Sequence, residues 1–596
     1  MAFKRNNNVI DSPGNSFATF NPLLKLNSTD PSDSTPSGLS LEKGSLKSVS
    51  SGSEGFTYYT ALSNIAIPAT GKWFVEVCPT SLATGATSRS GIGIIDSIAI
   101  SSSQKSAAFY YTTSGSSYAW QANGNVIASP STDSSYQSPY ANGDIIGVLY
   151  DADSGTLSFY KDGEDQGEAF TGITGQYYFG VGYWGDFIIN FGQDHTFAGT
   201  KTDSAGFAPH GAAAGTPGLF YHEPPEGAKA LCSANLSTTV ENPQEHFKAV
   251  TYIGNGIDGN EVTDVGFQSD LIWIKDRDNT SQPVLVDSVR GYNKEIFSTM
   301  TKVEQTNANR GSYKSALSEI NTTGFVLNSN IGPTGSTNDD GSKHIAWCWK
   351  AGGGGGKYNI DGVPYIDFAN TGLTAGDIEP TGMSVNTKAG FSIVKYPGGS
   401  DVNTIPHGLN SAPEMIIIKN LDNANGWVVG SSYLSSWAKG LGLDITNGEF
   451  DATSSFNSTA PDNNVFTLGN SSGANNSSYN YIAYCWHSVP GYSKIGSYTG
   501  NGSPDGPFVY TGFKPAWVMV KRITNVGSGT SWFIWDNVRS PHNEMVNALL
   551  ANDPSVELTD REINFLSNAF VPKASDGNYN ESDETYIYMA FAEHSM

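Results

Sequence analysis

The sequence predicts an all-β, multi-domain protein, a β-sandwich followed by three related β-sandwich-like repeats. Three observations carry this. First, one phrase recurs. Tyr252-Ile253-Gly254-Asn255-Gly256 precedes Leu271-Ile272-Trp273-Ile274-Lys275, Tyr396-Pro397-Gly398-Gly399 precedes Met415-Ile416-Ile417-Ile418-Lys419, and Tyr498-Thr499-Gly500-Asn501-Gly502 precedes Trp517-Val518-Met519-Val520-Lys521. Tyr and Lys stand 23 residues apart each time (252 to 275, 396 to 419, 498 to 521). Second, each copy closes on a similar strand: His344-Ile345-Ala346-Trp347-Cys348-Trp349, Tyr481-Ile482-Ala483-Tyr484-Cys485-Trp486 and Tyr588-Met589-Ala590-Phe591-Ala592. Third, 67 glycines and 12% aromatic residues accompany only 15% charged residues, the composition of a loop-rich β-protein. Tandem duplication makes the protein modular, and modules in a row are expected to fold as separate rigid beads that display loops.

Residues 1–55 are polar and Ser-, Pro- and Asn-rich, and read as an extended attachment arm. Its apolar stretch Phe17-Ala18-Thr19-Phe20-Asn21-Pro22-Leu23-Leu24 is suited to docking on a neighbour. Residues 56–200 alternate as half-buried strands do, Lys72-Trp73-Phe74-Val75-Glu76-Val77 and Ser90-Gly91-Ile92-Gly93-Ile94-Ile95 among them. A hairpin runs through Gly143 to Tyr150, the turn Asp151-Ala152-Asp153-Ser154-Gly155, and Thr156 to Tyr160. The turn Lys161-Asp162-Gly163 follows, where Gly supplies a positive φ. Residues 201–245 form a Pro/Gly/Ala-rich connector. The repeats occupy 246–354, 388–489 and 490–596, and 355–387 is a linker with one short strand. The glycine run 352–356 reads as a flexible hinge, and Asn543 to Leu550 as the best short helix.

The stretch GDIIGVLYDADSGTLSFYKDG, preceded by GKWFVEV and followed by FTGITGQYYFGVGYWGDFIINFG, resembles a SPRY domain. That resemblance implies a bent two-sheet sandwich that binds partners through end loops and carries no catalytic residues. Together, the SPRY-like module, connector and repeats resemble bacteriophage proteins from marine sources that are regarded as virion structural or tail proteins. This implies a virion location, contacts to other virion proteins through the N-terminal region, and a homo-oligomer, by convention a trimer.

The charge of −24 argues against nucleic acid and membrane as partners. No secretory signal is expected, so synthesis is expected in a host cytoplasm. The Asn-x-Ser/Thr triplets at Asn27 and Asn321 are then idle. Cys348 and Cys485 occupy the same place in two repeats and read as buried hydrophobes rather than a disulfide pair; Cys78 and Cys232 stand apart.

No catalytic motif, metal-ligand cluster or cofactor-binding loop emerges. Asp151 to Gly155 resembles the start of a calcium loop but lacks its closing Glu, so a turn is the better reading. Asp287-Ser288-Val289-Arg290 and Asp536-Asn537-Val538-Arg539 offer two carboxylates, read as structural ion pairs ahead of an acid–base pair; the second repeat lacks the phrase near Trp437. His487 and His594 are taken as equivalent residues with a role in the fold. The rings Tyr183, Trp184, Trp532 and Trp535 are the candidate ligand-binding residues, because alternation sends one of each neighbouring pair outward, where a flat ring stacks on sugar. The reading that results is a non-enzymatic tail fibre or tailspike adhering to a host-surface glycan or protein. A decoration protein bound only to virion proteins, and a polysaccharide depolymerase, are the alternatives.

Overall fold

In the computed structural model the described residues are 17–29, 39–50, 57–68, 70–82, 90–96, 117–129, 134–175, 177–183, 185–201, 209–213, 216–232, 235, 240–306, 308–309, 311–329, 332, 336–353, 355–374, 376–504, 506–524 and 530–594. They fall into two compact units that divide at Ser237/Thr238.

The first unit is a sandwich of two antiparallel sheets. One sheet runs, in spatial order, Phe20–Thr29, Thr57–Ser63, Tyr177–Tyr183, Gly91–Asp96, Ser117–Gln121, Asn125–Ser129 and Ser134–Ser135. The other runs Glu164–Phe170, Thr156–Lys161, Ile146–Asp151, Lys72–Ser81, Asp186–Asn190, Lys47–Ser50 and Leu39–Glu42. Alternation sends Trp73, Val75 and Val77 from one sheet and Ile92, Ile94, Phe179 and Val181 from the other into a single core. The predicted hairpin is present, with Asp151 opposite Thr156. The Asp151 carboxylate accepts from its own turn, from Asp153 N at 3.1 Å and Ser154 N at 3.3 Å. The following turn takes positive φ at Asp162 and Gly163, which matches strand twist.

Two predicted boundaries move. The described part of the arm belongs to the sandwich: Phe17, Ala18 and Phe20 are buried, and strands Phe20–Thr29, Leu39–Glu42 and Lys47–Ser50 join the two sheets. The apolar stretch at Phe17 is therefore used inside its own unit, where Ala18 N donates to Leu231 O at 2.9 Å. Residues 1–16 and Asn27's neighbours from 30 to 38 lie outside the described residues. The connector also packs on the sandwich, with Ala228–Ala230 adding in parallel to Lys72–Ser81. Buried Glu76 pins it: its carboxylate accepts from Tyr221 N (2.7 Å), His222 N (2.8 Å) and Asn190 Nδ2 (3.2 Å). Burial pushes this carboxyl up to about 7, against those three hydrogen bonds.

The second unit overturns the expectation of separate beads. Each repeat builds one large sheet in which opening strand, closing strand, second strand and third strand follow in a common antiparallel order, and a short fourth strand ends it in the first and third. In the first repeat these are Phe247–Ile253, Lys343–Trp349, Leu271–Asp276, Val284–Asp287 and Ile296–Phe297. The third repeats the order with Ser493–Thr499, Thr585–Ala592, Pro515–Arg522, Phe533–Asp536 and Leu549–Leu550. In the second, Phe391–Pro397, Asn480–Trp486, Met415–Asn420 and Val428–Ser431 form the equivalent sheet, extended beyond its opening strand by Gly382–Asn386, Tyr358–Ile360 and Val363–Tyr365. A smaller sheet accompanies each: Asn260–Val262 with Phe325–Leu327 and Leu317–Ile320, Asn403–Pro406 with Val465–Leu468, and Val509–Tyr510 with Ala569–Pro572 and Ile563–Phe565.

Both faces of the second and closing strands of every large sheet are buried, which is why these strands read as continuous apolar runs. One face packs into the repeat's own layer: Ile272, Ile274 and Cys348 in the first, Ile416, Ile418 and Cys485 in the second. The cysteines are free and buried in separate layers, as the sequence implied. The other faces meet in one cluster. It contains Leu271, Trp273, Trp347 and Trp349, then Met415, Ile417, Tyr484 and Trp486, then Trp517, Met519, Met589 and Phe591.

Equivalent contacts close the three into a ring. Lys275 Nζ donates to Asp553 O (2.6 Å), Lys419 Nζ to Thr301 O (3.2 Å) and Lys521 Nζ to Thr446 O (2.8 Å). Two residues beyond each lysine a carbonyl accepts from the same neighbour: Glu557 N to Arg277 O (2.9 Å), Glu304 N to Leu421 O (2.9 Å) and Glu449 N to Ile523 O (2.8 Å). The repeats therefore stand in cyclic order, first onto third, second onto first, third onto second, as a closed heterologous ring does.

Three further expectations change. The start of the glycine run is anchored: Ala351 N and Gly353 N donate to Asp270 Oδ2 at 2.8 and 3.0 Å, and Gly352 N donates to Ser384 Oγ at 2.9 Å. The linker supplies strands to the second repeat's sheet rather than one isolated strand. Residues Asn543 to Leu550 are not helical; Met545 bridges Ile563, and Leu549–Leu550 extends the third sheet, whose open edge offers these backbone groups partners. Among the described residues the α-helix is the single turn Thr453–Phe456.

A chain ending at residue 489 tests the shared core. It uncovers the inner faces of the first two sheets, each losing roughly 2 kcal/mol or more per large side chain left in water. The expected result is loss of cooperative unfolding in the second unit, with red-shifted tryptophan emission and dye binding.

Candidate functional site

The predicted ring platforms do not form as expected. Trp532 lies in the shared core, its Nε1 donating to Gly442 O at 2.9 Å. Trp535 faces the other way into the third repeat's own layer, its Nε1 donating to Arg561 O at 2.8 Å. Alternation does send the two rings to opposite faces, but both faces are buried, so neither stacks on a sugar. Tyr183 ends the strand Tyr177–Tyr183 with its backbone opposite Tyr59, and Trp184 lies outside the described residues.

The two acidic phrases are ring links. Asp287 and Asp536 are fully buried, paired with Arg290 at 2.5 Å and Arg539 at 2.6 Å. Each also accepts from the next repeat: Tyr484 Oη donates to Asp287 Oδ2 (2.7 Å) and Trp347 Nε1 to Asp536 Oδ2 (3.0 Å). Register places Ser431 at the equivalent position in the second repeat, and Met589 where the third would carry the donor. The second repeat lacks the phrase because the facing side chain has nothing to donate. Register also shifts two assignments. The third closing strand aligns from Tyr586 rather than Tyr588, which makes Ala592, not His594, the counterpart of His487. His487 Nδ1 lies 2.9 Å from Ser488 O, and His594 is mostly exposed.

The repeated Tyr-x-Gly phrase is a bracket for a tip loop. Each tyrosine stacks on the facing ring of its closing strand: Tyr252 on His344 (5.1 Å between centroids), Tyr396 on Tyr481 (5.4 Å), Tyr498 on Tyr586 (5.1 Å). Their hydroxyls donate to Thr337 O, Ala474 O and Tyr579 O at 2.7, 2.8 and 2.6 Å. The residues that follow those carbonyls are buried asparagines. Asn338, Asn475 and Asn580 accept through Oδ1 from Asn255 N (3.0 Å), Gly399 N (2.5 Å) and Asn501 N (3.0 Å). Their Nδ2 groups donate to Ile257 O, Asp401 O and Ser503 O, at 2.8 Å in every copy. A Cβ on Gly254, Gly398 or Gly500 would lie 2.1, 2.1 or 2.2 Å from the carbonyl of Asp339, Asn476 or Glu581, so only glycine fits. These asparagines escaped the sequence reading, although each stands six residues before its closing strand's first ring (338 to 344, 475 to 481, 580 to 586).

The first two brackets hold tips that present apolar side chains to solvent. Ile253 is 65% exposed, Ile257 64% and Val402 51%. The Asp258–Lys314 ion pair ties the first tip to the segment carrying exposed Tyr313. Because the ring relates the repeats by rotation, the three tips stand at one level along its axis. The cavity among Trp273, Trp349, Ile417, Trp486 and Trp517 in the shared core holds only about 20 Å³, room for one water.

The lysines make the second unit sensitive to pH. Burial lowers Lys275 and Lys521 to about 7 and Lys419 to about 8, from the ordinary 10.5. Between pH 7 and 9 the unfolded chain binds more protons than the folded one, so stability rises with pH across that window. The expected observation is a denaturation midpoint that climbs from pH 7 to 9, with a shallower climb in Lys275→Met. Separately, Gly254→Ala is expected to cost about 1–3 kcal/mol by forcing the Cβ against Asp339 O, read as a lowered melting temperature with faster amide exchange at Asn255 and Gly256.

Residues 242–595 match the family described as a domain of unknown function, DUF7483, and residues 87–194 match the SPRY domain family. Similar solved structures include the SPRY domain of human HERC1, 17% identical, covering 28% of this chain and 96% of that one, with a TM-score of 0.20. A human SPRY domain is 14% identical over 26% of this chain and 94% of that one, and the TRIM65 PSpry domain 16% identical over 29% and 90%, both at TM-score 0.20. No curated protein matches.

Proposed function

We propose that this chain, which belongs to the DUF7483 family and carries a SPRY domain ahead of that region, is a presenting protein of a bacteriophage virion. In this reading it is a tail fibre or tailspike-type appendage that adheres to a host-surface glycan or protein. The observation that carries it is the set of bracketed tip loops with exposed Ile253, Ile257 and Val402 on a rigid ring. Binding loops on rigid scaffolds are a recurrent arrangement, and several copies at one level multiply weak contacts. Two further features support it. Asp287 and Asp536, the carboxylates best placed in sequence for hydrolysis, are held in ion pairs inside the ring. The buried lysines donate to main-chain carbonyls of neighbouring repeats.

The test is binding of labelled full-length protein to host cells and to purified lipopolysaccharide, beside an Ile253→Asp/Ile257→Asp double variant. Saturable binding that the variant weakens about tenfold or more is the expected outcome, since an exposed apolar contact is replaced by charge. Binding only to other virion proteins would support the decoration reading instead. Release of reducing ends from host polysaccharide would support a depolymerase.

A further inference from the structure

The opening strand of the first repeat, Phe247–Ile253, is a sheet edge: it pairs with Lys343–Trp349 on one side, and no strand among the described residues pairs with the other. Its ladder parity is set at both ends, by Gly254 N to Ser342 O (2.9 Å) and Lys350 N to His246 O (2.8 Å). Phe247, Ala249 and Thr251 therefore direct their N–H and C=O groups away from the closing strand, toward the open side. In the second repeat the same edge is filled. Gly398 N to Tyr479 O (2.8 Å) and His487 N to Gly390 O (3.0 Å) give Phe391, Ile393 and Lys395 the outward role. There Gly382–Asn386 pairs antiparallel, with Asn386 opposite Phe391, Ser384 opposite Ile393 and Gly382 opposite Lys395.

That added strand sits between the second repeat's edge and the first repeat's Val289. A Cβ on Gly382 would lie 3.1 Å from Val289 Cγ1, and Ser384 Oγ donates to Asp270 Oδ1 at 2.9 Å. As the second repeat stands to the first, the first stands to the third, so the counterpart of Val289 is Val538. Between Phe247, Ala249 and Val538 lies a cleft of about 270 Å³, bordered also by Lys248, Asn537 and Glu593. Val289 packs against the shared core, whereas Val538 is 40% exposed. At the third such place Tyr433 packs against the core, and its hydroxyl donates to Glu414 Oε1 at 3.2 Å. Of three equivalent places, one holds a strand, one carries a packed tyrosine ring, and one is open.

We propose that the open place is a strand-addition site for an extended segment of a partner protein, which pairs antiparallel with Phe247 to Thr251. The filled place specifies its chemistry. Met383 and Val385 enter the second repeat's own layer, while Gly382 and Ser384 face the neighbouring repeat. The partner segment alternates in the same way, apolar side chains over the Val250 and Tyr252 face and small ones toward Val538. Main-chain hydrogen bonds supply affinity and the alternate positions supply selectivity. An unpaired edge beside an apolar cleft is otherwise a route to aggregation.

The test uses the full chain and a synthetic peptide of residues 380–388 as the probe. Expected are one-to-one binding, exchange at the Phe247, Ala249 and Thr251 amides slowed about tenfold or more, and affinity lowered by a similar factor in Val538→Trp, which fills the cleft as Tyr433 fills its own place. Ala249→Pro removes an outward donor and is expected to act alike; Val538→Trp, at an exposed position, keeps the test valid where the proline variant does not fold. Absence of binding at millimolar peptide, binding undiminished by Val538→Trp, or protection at other amides would overturn the proposal. So would concentration-dependent dimers that protect these same amides without peptide, because the occupant would then be a second copy.

Discussion

The second unit depends on one constraint: each large sheet is apolar on both faces, and only one face can be covered from within its own repeat. Ile272 and Ile274 find their cover under a small sheet, but Leu271 and Trp273 do not. Among the described residues, they are covered by the equivalent faces of the other two copies. Three sheets in a ring satisfy all of them at once, and no copy is left with an uncovered face. The repeats are thus parts of one fold rather than domains in a row.

Closing the ring buries charged side chains, and the partners they find differ from joint to joint. The lysine at the end of each second strand reaches a neighbour's carbonyl in every case. The Asp–Arg pair with a Trp or Tyr donor serves two joints, and Ser431 with Met589 replaces it at the third. Donor and acceptor are lost together, as the penalty for a lone buried carboxylate requires. Symmetry of this kind makes its own exceptions informative. Among the described residues, the same edge is covered by a strand in one repeat, backed by a tyrosine in another and unpaired in the first.

The tip brackets show the opposite behaviour. The Tyr, Gly and Asn positions are nearly invariant across the three copies, while the loop residues between them are Ile257, Asp401 and Ser503 at one equivalent place. A fixed frame with variable exposed content suits recognition, because the entropy of ordering the loop is met by the frame before any partner arrives. In the first unit Glu76 has a comparable role, holding the segment after the sandwich through three hydrogen bonds to a buried carboxylate.

Much of this was legible in the chain. Alternation and turn chemistry are local, so the strands, the hairpin at Asp151 and the turn at Asp162-Gly163 were readable from spacing alone. So was the repeat, because duplication preserves spacing, and so was the separation of Cys348 from Cys485. Burial on both faces was not readable: an apolar run such as Met415-Ile416-Ile417-Ile418 looks the same whether its second face meets solvent or another sheet. For that reason one ring of the Trp532/Trp535 pair was expected in solvent, the arm at Phe17 was read as a tether, and the glycines near 352 as a hinge. By itself the sequence determined the elements and their threefold recurrence; only tertiary packing decided that the copies share one interior, which charges are sealed inside it, and which edge stays open, because those outcomes depend on surfaces brought together from residues hundreds of positions apart.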